Sequence, residues 1–387
     1  MGDARAGRGT APSGPRRVAL RWADALAGGE LRRLVDQRVE AALDARDRAP
    51  GPAAAPAPAP PAPAPRRGTR ESLDAHAARP WLATGASVPT RVQSPELRAL
   101  RRAHPYTGPV LVQAGGGRPV WMWFDEDDLV AAVSFWFGPN AYESLSTAVF
   151  STLARTAATV LDVGAHTGIF SLVAGAAAPD VAVHAFEVVE RIARRTRTNV
   201  RLSGLTDRVH VHAVGVSSEP GVMTLHHNDA VPLATGSSFE RFADRGAARG
   251  AATSQVEVTT LDAWWAAEGR PRVGLMKIDV ERHESHVLAG GRAFLDAERP
   301  ALLAEVLSRD DFATLYRLLG ERGYTRAWHV DDDAVRAYPV APDLTYATSA
   351  PYAYAKYHNV LFVAERDAAT VEEGFAGLGA VAEAPVG

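Results

Sequence analysis

The stretch VLDVGAHTGIF, Val160 to Phe170, decides the fold. Its first half is an apolar run that ends in Asp162 and Gly164, and HTGIFSLVAGAAA then reads as a helix. A strand that turns through glycine straight into a helix opens a βαβ unit. The same alternation recurs downstream. VAVHAFE is the next strand, VVERIARRTRTNVRLSG a helix, VHVHAVGV a third strand, LMKIDV a fourth, and ALLAEVL a fifth after the helix ESHVLAGGRAFLDA. FATLYRLLGERGY is again helical, and NVLFVAE, Asn359 to Glu365, closes the pattern as a late strand. Nearly continuous apolar strands separated by helices predict a mostly parallel, doubly wound α/β sheet covered on both faces.

Ahead of this region, RPVWMWFD (Arg118 to Asp125) alternates as a strand and AYESLSTAVFSTLA (Ala141 to Ala154) as a helix. The Pro/Ala run from Pro50 to Pro65 cannot build a core. Residues 1–80 are therefore expected to form a disordered arm carrying a possible amphipathic helix at 30–46. A strand/helix cap follows at 81–154, the ligand-binding domain at 155–366 and a flexible tail at 367–387.

Bulk properties remove several classes of function. The 387 residues carry a formal net charge of −3, against a general nucleic-acid binder. There is no cysteine, hence no thiolate zinc site, disulfide or cysteine nucleophile. No apolar run of about 18 residues predicts a spanning helix, and the polar N-terminus lacks a secretory core, so the expectation is cytoplasmic.

Parallel sheets bind ligands beyond the carboxyl ends of their strands, and each polar cluster falls at such an end. Asp162-x-Gly164-x-x-x-Gly168 marks the first turn, where the following helix aims its amides at whatever fills it. Glu187 ends the next strand, placed to accept hydrogen bonds from both hydroxyls of a ribose. The turn lacks the G-x-G-x-x-G spacing that cradles a pyrophosphate. S-adenosylmethionine has no phosphate to cradle and brings an amino group and a sulfonium, which suits Asp162. It is preferred over a nicotinamide dinucleotide.

Beyond these features the chain resembles the FkbM family of S-adenosylmethionine-dependent methyltransferases. The resembling blocks are WFGPNAYES, VLDVGAHTGIFSL, HAFEVVE, the Asn199 region, VTTLDAW, LMKIDVERHESHVLAGG, RPALLAEV and NVLFV, in the family's order. The resemblance implies a class I, Rossmann-like fold, a seven-stranded sheet with a late antiparallel strand, and methyl transfer to a hydroxyl of a saccharide or secondary metabolite. It assigns the turn Gly164, Ala165, His166 and Gly168 to the cofactor together with Asp162 and Glu187. It also suggests that Glu143 touches the cofactor or closes the pocket; as a surface carboxylate Glu143 is equally explicable. His166, Val188 and Arg282 depart from the family's usual Asn, Pro and Gly, and the last must strain or reshape its loop if the backbone angle there is positive. The departures motivate the alternative of a catalytically altered binding or scaffold protein on the same fold.

In LMKIDVERHESHVLAG, alternation puts Met276 and Ile278 on one face with Lys277 and Asp279 on the other. A buried Lys277 needs a partner, and Glu305 in the neighbouring strand is the candidate. Histidine has the most suitable unperturbed pKa for a base, so His283 is the leading one. Asp279 is the positioning group or alternative base, Glu284 the orienter of the imidazole, and Glu281 a companion in the loop. His283-Glu284-Ser285-His286 is not the H-E-x-x-H of a zinc protease, so a divalent metal is possible but not favoured. The His226–Asp229 run suggests a flap near the acceptor, and Trp264–Trp265 are read as core packing.

Overall fold

A computed structural model describes residues 105–114, 117–228, 233, 237–239, 251–332, 335–340 and 358–380, with isolated positions at 99 and 102. The arm with its candidate helix, and residues 381–387, lie outside the described residues.

A hairpin, β1 (Thr107–Val112) and β2 (Val120–Asp125), is followed by α1 (Leu129–Phe137) and α2 (Ser144–Ala154). The alternating segment then runs β3 (Thr159–Val163), α3 (Ile169–Ala177), β4 (Ala182–Phe186), α4 (Glu190–Ser203) and β5 (Val209–His212). Next come β6 (Gly215–Val216), β7 (Gly221–Asn228), β8 (Ala251–Thr259), α5 (Leu261–Ala267) and β9 (Val273–Ile278). The chain continues through α6 (Glu284–Ala289), α7 (Arg292–Glu298), β10 (Ala301–Val306) and α8 (Arg309–Gly320). It closes with β11 (Tyr324–Asp331), β12 (Arg336–Pro339), β13 (His358–Ala364) and α9 (Ala368–Gly377).

The main sheet has the order β12-β11-β13-β10-β9-β3-β4-β5. Strands β10, β9, β3, β4 and β5 pair in parallel, and β13 inserts antiparallel between β10 and β11. The doubly wound class and the late antiparallel strand are as expected. The sheet gains an eighth strand, because β11 turns back into the short β12 at the edge. VHVHAVGV is not one strand: it breaks after His212, and β6 joins β7 and β8 in a separate three-stranded sheet.

Each face of the main sheet buries its own apolar layer. Val160, Leu275, Leu303 and Leu361 point to the side of the hairpin, α1, α2, α3 and α9. Leu161, Val163, Met276, Ile278, Leu302 and Phe362 point to the side of α5 to α8. Two dry faces explain why the strands are apolar throughout. α9 corrects the expected flexible tail: Ala368, Val371 and Phe375 are buried, and Phe375 packs on Trp328. Trp264 and Trp265 are core, as read. Among the described residues no helix is long and apolar enough to cross a membrane.

Candidate active site

Strand register brings the polar strand ends together. Asp162 on β3 lies opposite Lys277 on β9, and Glu305 on β10 lies opposite Asn359 at the start of the antiparallel β13. Four neighbouring strands thus deliver Asp162, Lys277, Glu305 and Asn359 to the carboxyl edge of the parallel strands, and Glu143 reaches them from the start of α2.

The glycine turn is rigid. Gly164 and Ala165 both donate their N–H to the Phe186 carbonyl at 2.9 Å, and Gly168 donates to the Ala165 carbonyl. Asp162, 1% exposed, accepts Ser171 N–H (2.9 Å) and its hydroxyl (2.6 Å) on Oδ2, while Oδ1 is buried without a hydrogen-bond partner. Glu187 accepts His166 N–H and Val189 N–H at 2.9 and 2.8 Å, one on each oxygen. Burial raises the pKa of both carboxyls.

The two glycines serve the protein's own packing. A Cβ on Gly164, at φ +85°, would stand 1.8 Å from the Asp279 carbonyl oxygen; one on Gly168, at φ +93°, would stand 2.6 Å from Thr196 Cγ2. At Gly164 the missing side chain makes room for the backbone just beyond β9. His166 at φ +48° fills the family's Asn position, and its Nε2 meets the Leu233 carbonyl at 3.2 Å. α4 clamps this loop from behind, where the Thr196 hydroxyl donates to the His166 carbonyl and the Asn199 amide to the Thr167 carbonyl.

Beside the turn lies a concentration of acid around one lysine. Lys277 is 2% exposed, its ammonium bonded to Asp279 Oδ2 and lying 4.5 Å from the centre of the Phe170 ring. Its partner is therefore Asp279, where Glu305 was expected: β9 ends at Ile278, and the turning chain brings the next carboxylate back onto the ammonium. Burial disfavours the Lys277 charge, but Asp279, Glu143 and Asp162 outweigh it and hold the ammonium above the ordinary lysine range. Burial likewise opposes ionisation of Asp279, yet Lys277 prevails and lowers its pKa. The proton goes to the neighbour: burial, then the charges of Asp279 and Glu281, push Glu305 well above the carboxylate range. Glu143 is raised by burial against the pull of Lys277. Its Oε2 accepts the Asn359 amide at 2.9 Å, and the Tyr142 hydroxyl bonds the same carboxyl.

His283 is not on this edge. It caps α6, is 1% exposed, shares a 2.9 Å hydrogen bond with Ser217 through Nε2, and stacks on His286 at 4.3 Å. Phe239 covers it at 4.8 Å. Burial, then His286, lower its pKa to about 4. It is neutral at pH 7, as a base should be, and is enclosed by Ser217, His286 and Phe239. Glu284 does not orient the ring through Oε1, which accepts Val280 N–H at 3.1 Å and closes the loop. Burial raises the Glu284 carboxyl to about 7. Glu281 and Arg282 stand at φ +54° and +76°, so the loop adopts positive angles without a glycine, at a cost of about 1–2 kcal/mol per residue. The expected flap is approached from the strand β7: His226 bridges Ser238, whose hydroxyl donates to the Glu281 carbonyl at 2.7 Å.

Residues that pattern reading passed over include Tyr142, Ser146, Asn359 and Asp332, together with Asp128, a buried cap of α1 that bonds Thr167. Of these, Asn359 opens the NVLFV block and Tyr142 lies within WFGPNAYES. Among the described residues no group of three or more His, Asp or Glu is arranged to hold a metal ion.

Strand order, glycine turn and acid-ended β4 define the class I, Rossmann-like methyltransferase fold. Residues 162–326 match the methyltransferase FkbM domain, and the chain carries a domain of that S-adenosylmethionine-dependent family. Among solved structures it is similar to methyltransferase FkbM from Methylobacillus flagellatus KT, with 16% identity over 55% of this chain and 47% of that one, TM-score 0.36. The chain therefore spans less than half of that protein. It is also similar to the O-methyltransferase from Bacillus cereus in complex with SAH, with 13% identity over 57% and 80%, TM-score 0.34. A third is the SAM-dependent O-methyltransferase from Thermotoga maritima, with 12% identity over 68% and 81%, TM-score 0.34. No curated protein matches the chain.

The donor set fits the family's cofactor. The edge is rich in acceptors, including the orphaned Asp162 Oδ1, and Lys277 is its buried cation, already paired. That chemistry suits a ligand bearing an ammonium and a sulfonium.

Proposed function

We propose that the chain is an S-adenosylmethionine-dependent O-methyltransferase acting on a hydroxyl of a saccharide or secondary metabolite. The observation that carries it is the carboxyl edge in which Lys277 is outnumbered by Asp162, Glu143 and Asp279, with Glu305 holding a proton beside them. Glu187 would accept from the ribose hydroxyls and Asp162 from the amino group, with the Gly164–Gly168 turn shaping the floor. Bound there, S-adenosylmethionine supplies a methyl group on a sulfonium, an electrophile that needs alignment more than activation.

Asp279 takes the role of base. It is ionised and 28% exposed, so a hydroxyl can reach it where it cannot reach His283. Lys277 and the protonated Glu305 both hydrogen-bond this carboxylate, and an acceptor hydroxyl would add its own hydrogen bond from the exposed side. A carboxylate held low by an ammonium is a weak base. Its contribution is therefore to orient the oxygen lone pair and to receive the proton late, as the new C–O bond forms. The proton then passes to water.

The test is transfer of labelled methyl into a panel of polyols, glycosides and hydroxylated metabolites. The reading expects label in alkali-stable ether linkages. Asp279→Asn should lower the rate about 100-fold or more, while His283→Gln stays within about tenfold. Label appearing only in amines or esters, or the reverse ranking of the two variants, would contradict it.

A further inference from the structure

Asp332 lies in the turn after β11, the second of three aspartates in VDDDAV, and nothing in the sequence marks it. The structure carries it to the start of α2. Its Oδ1 accepts the backbone N–H of both Leu145 and Ser146 at 2.8 Å, and its Oδ2 accepts the Ser146 hydroxyl at 2.6 Å. The first turn of a helix leaves amides that its own carbonyls cannot satisfy, and the N-cap side chain normally accepts them. At α2 the N-cap residue is Glu143, which makes no such bond. Asp332 caps the helix in its place.

That substitution releases the Glu143 carboxyl for other work. With its O–H donated to Asp332, the Ser146 oxygen accepts the Asn359 amide at 3.0 Å, and the same amide donates to Glu143 Oε2. Glu143 itself stands at φ +38°, a strained angle for a side chain with a Cβ. Such an angle persists only where the surroundings over-determine it, and Asp332, Ser146 and Asn359 are those surroundings.

We propose that Asp332 is a positioning residue of the transfer reaction, capping α2 in place of Glu143 and, through Ser146 and Asn359, aiming that carboxylate at the Lys277–Asp279 centre. The assignment rests on the function proposed above. Burial, then the charge of Glu143, push the Asp332 carboxyl up to about 7. The other titratable groups around the pair are Tyr142 beside α2, Lys277 and Asp279 from β9, and Glu305 from β10. Two acids that repel each other ionise in sequence, so the second negative charge arrives near neutral pH.

The affinity ratio of S-adenosylmethionine to its neutral thioether product, S-adenosylhomocysteine, reads this charge directly. Calorimetry on the full chain from pH 5.5 to 8.5 should show the ratio rising through about pH 7 in the wild type. In Asp332→Asn the rise should move to lower pH, because one member of the repelling pair is gone. Ser146→Ala keeps the carboxylate and its amide bonds but cuts the link to Asn359. Its ratio should fall about two- to tenfold, the effect of one lost hydrogen bond, and its midpoint should move up, because the Ser146 hydroxyl helps to hold the Asp332 carboxyl down. A merely structural cap would lower stability in both variants and leave both features alone. An unshifted midpoint in folded Asp332→Asn overturns the assignment; should that variant not fold, an unchanged ratio in Ser146→Ala does so. If the wild type binds neither ligand, the cofactor reading itself falls, and this assignment with it.

Discussion

Replacing Gly164 by alanine tests the geometry that joins the glycine turn to β9. At φ +85° an L-residue costs about 1–2 kcal/mol. The new methyl would stand 1.8 Å from the Asp279 carbonyl oxygen and 2.7 Å from its carbon, both backbone atoms. The ends of β3 and β9 must therefore separate by more than an ångström to restore contact near the ~3.5 Å optimum. Overpacking of this kind costs about 1–3 kcal/mol. The separation also lengthens the 2.9 Å bond from Asp279 N–H to the Val163 carbonyl, worth about 1 kcal/mol. Alanine's smaller unfolded-state entropy returns about 0.5–1 kcal/mol. The net expectation is a loss of about 2–5 kcal/mol. Gly168→Ala shares the backbone cost, but its 2.6 Å neighbour is the Thr196 methyl, a side chain able to shift, so its loss should be smaller. Urea unfolding of both variants at a common m-value measures the difference. A Gly164→Ala protein within about 0.5 kcal/mol of wild type, or a larger loss at Gly168, would refute the reasoning.

Two further substitutions probe the loop after β9. The Glu284 carboxyl is raised from 4.5 to about 7 by burial, so it binds its proton more tightly folded than unfolded. Stability from this group is full below about pH 4.5 and is lost as pH rises through about 7. Glu284→Gln, which keeps an oxygen for Val280 N–H, should match wild type at pH 4 and exceed it by up to about 3 kcal/mol at pH 8. Denaturation midpoints across that range check it, and a pH-independent difference would count against it. Arg282→Gly should relieve the φ +76° angle of an exposed residue and gain about 0.5–1 kcal/mol, measured the same way; a clear loss would show that the arginine contributes something the loop needs.

Much of this architecture was legible because it is local. The run VLDVG fixes a strand and a turn, and the alternation that follows it leaves one economical topology. Asp162, Glu187 and Asp279 were legible as candidates because they fall at or just beyond strand ends, where such sheets bind ligands. What escaped depends on long-range placement. β12 is four residues ending in proline, with no period to recognise. Asp332 and Tyr142 gain meaning only when β11 and α2 meet. His283 has the right intrinsic pKa, but its burial against Ser217 and Phe239 comes from the three-stranded sheet, whose β7 and β8 were not anticipated. The Lys277 partner was misplaced because it was sought across the sheet on the neighbouring strand, whereas the chain turning after β9 returns Asp279 to the ammonium.

The central claim is that the edge bounded by Asp162 and Glu187 holds a phosphate-free, cationic nucleoside. The most direct measurement is calorimetric titration of the purified chain with S-adenosylmethionine, beside a nicotinamide dinucleotide, repeated on Glu187→Ala. The account predicts one site for S-adenosylmethionine and none for the dinucleotide. It also predicts affinity reduced about tenfold to a hundredfold in the variant, the loss of hydrogen bonds to a charged acceptor. Dinucleotide binding in preference to S-adenosylmethionine, or an affinity indifferent to Glu187, would contradict it.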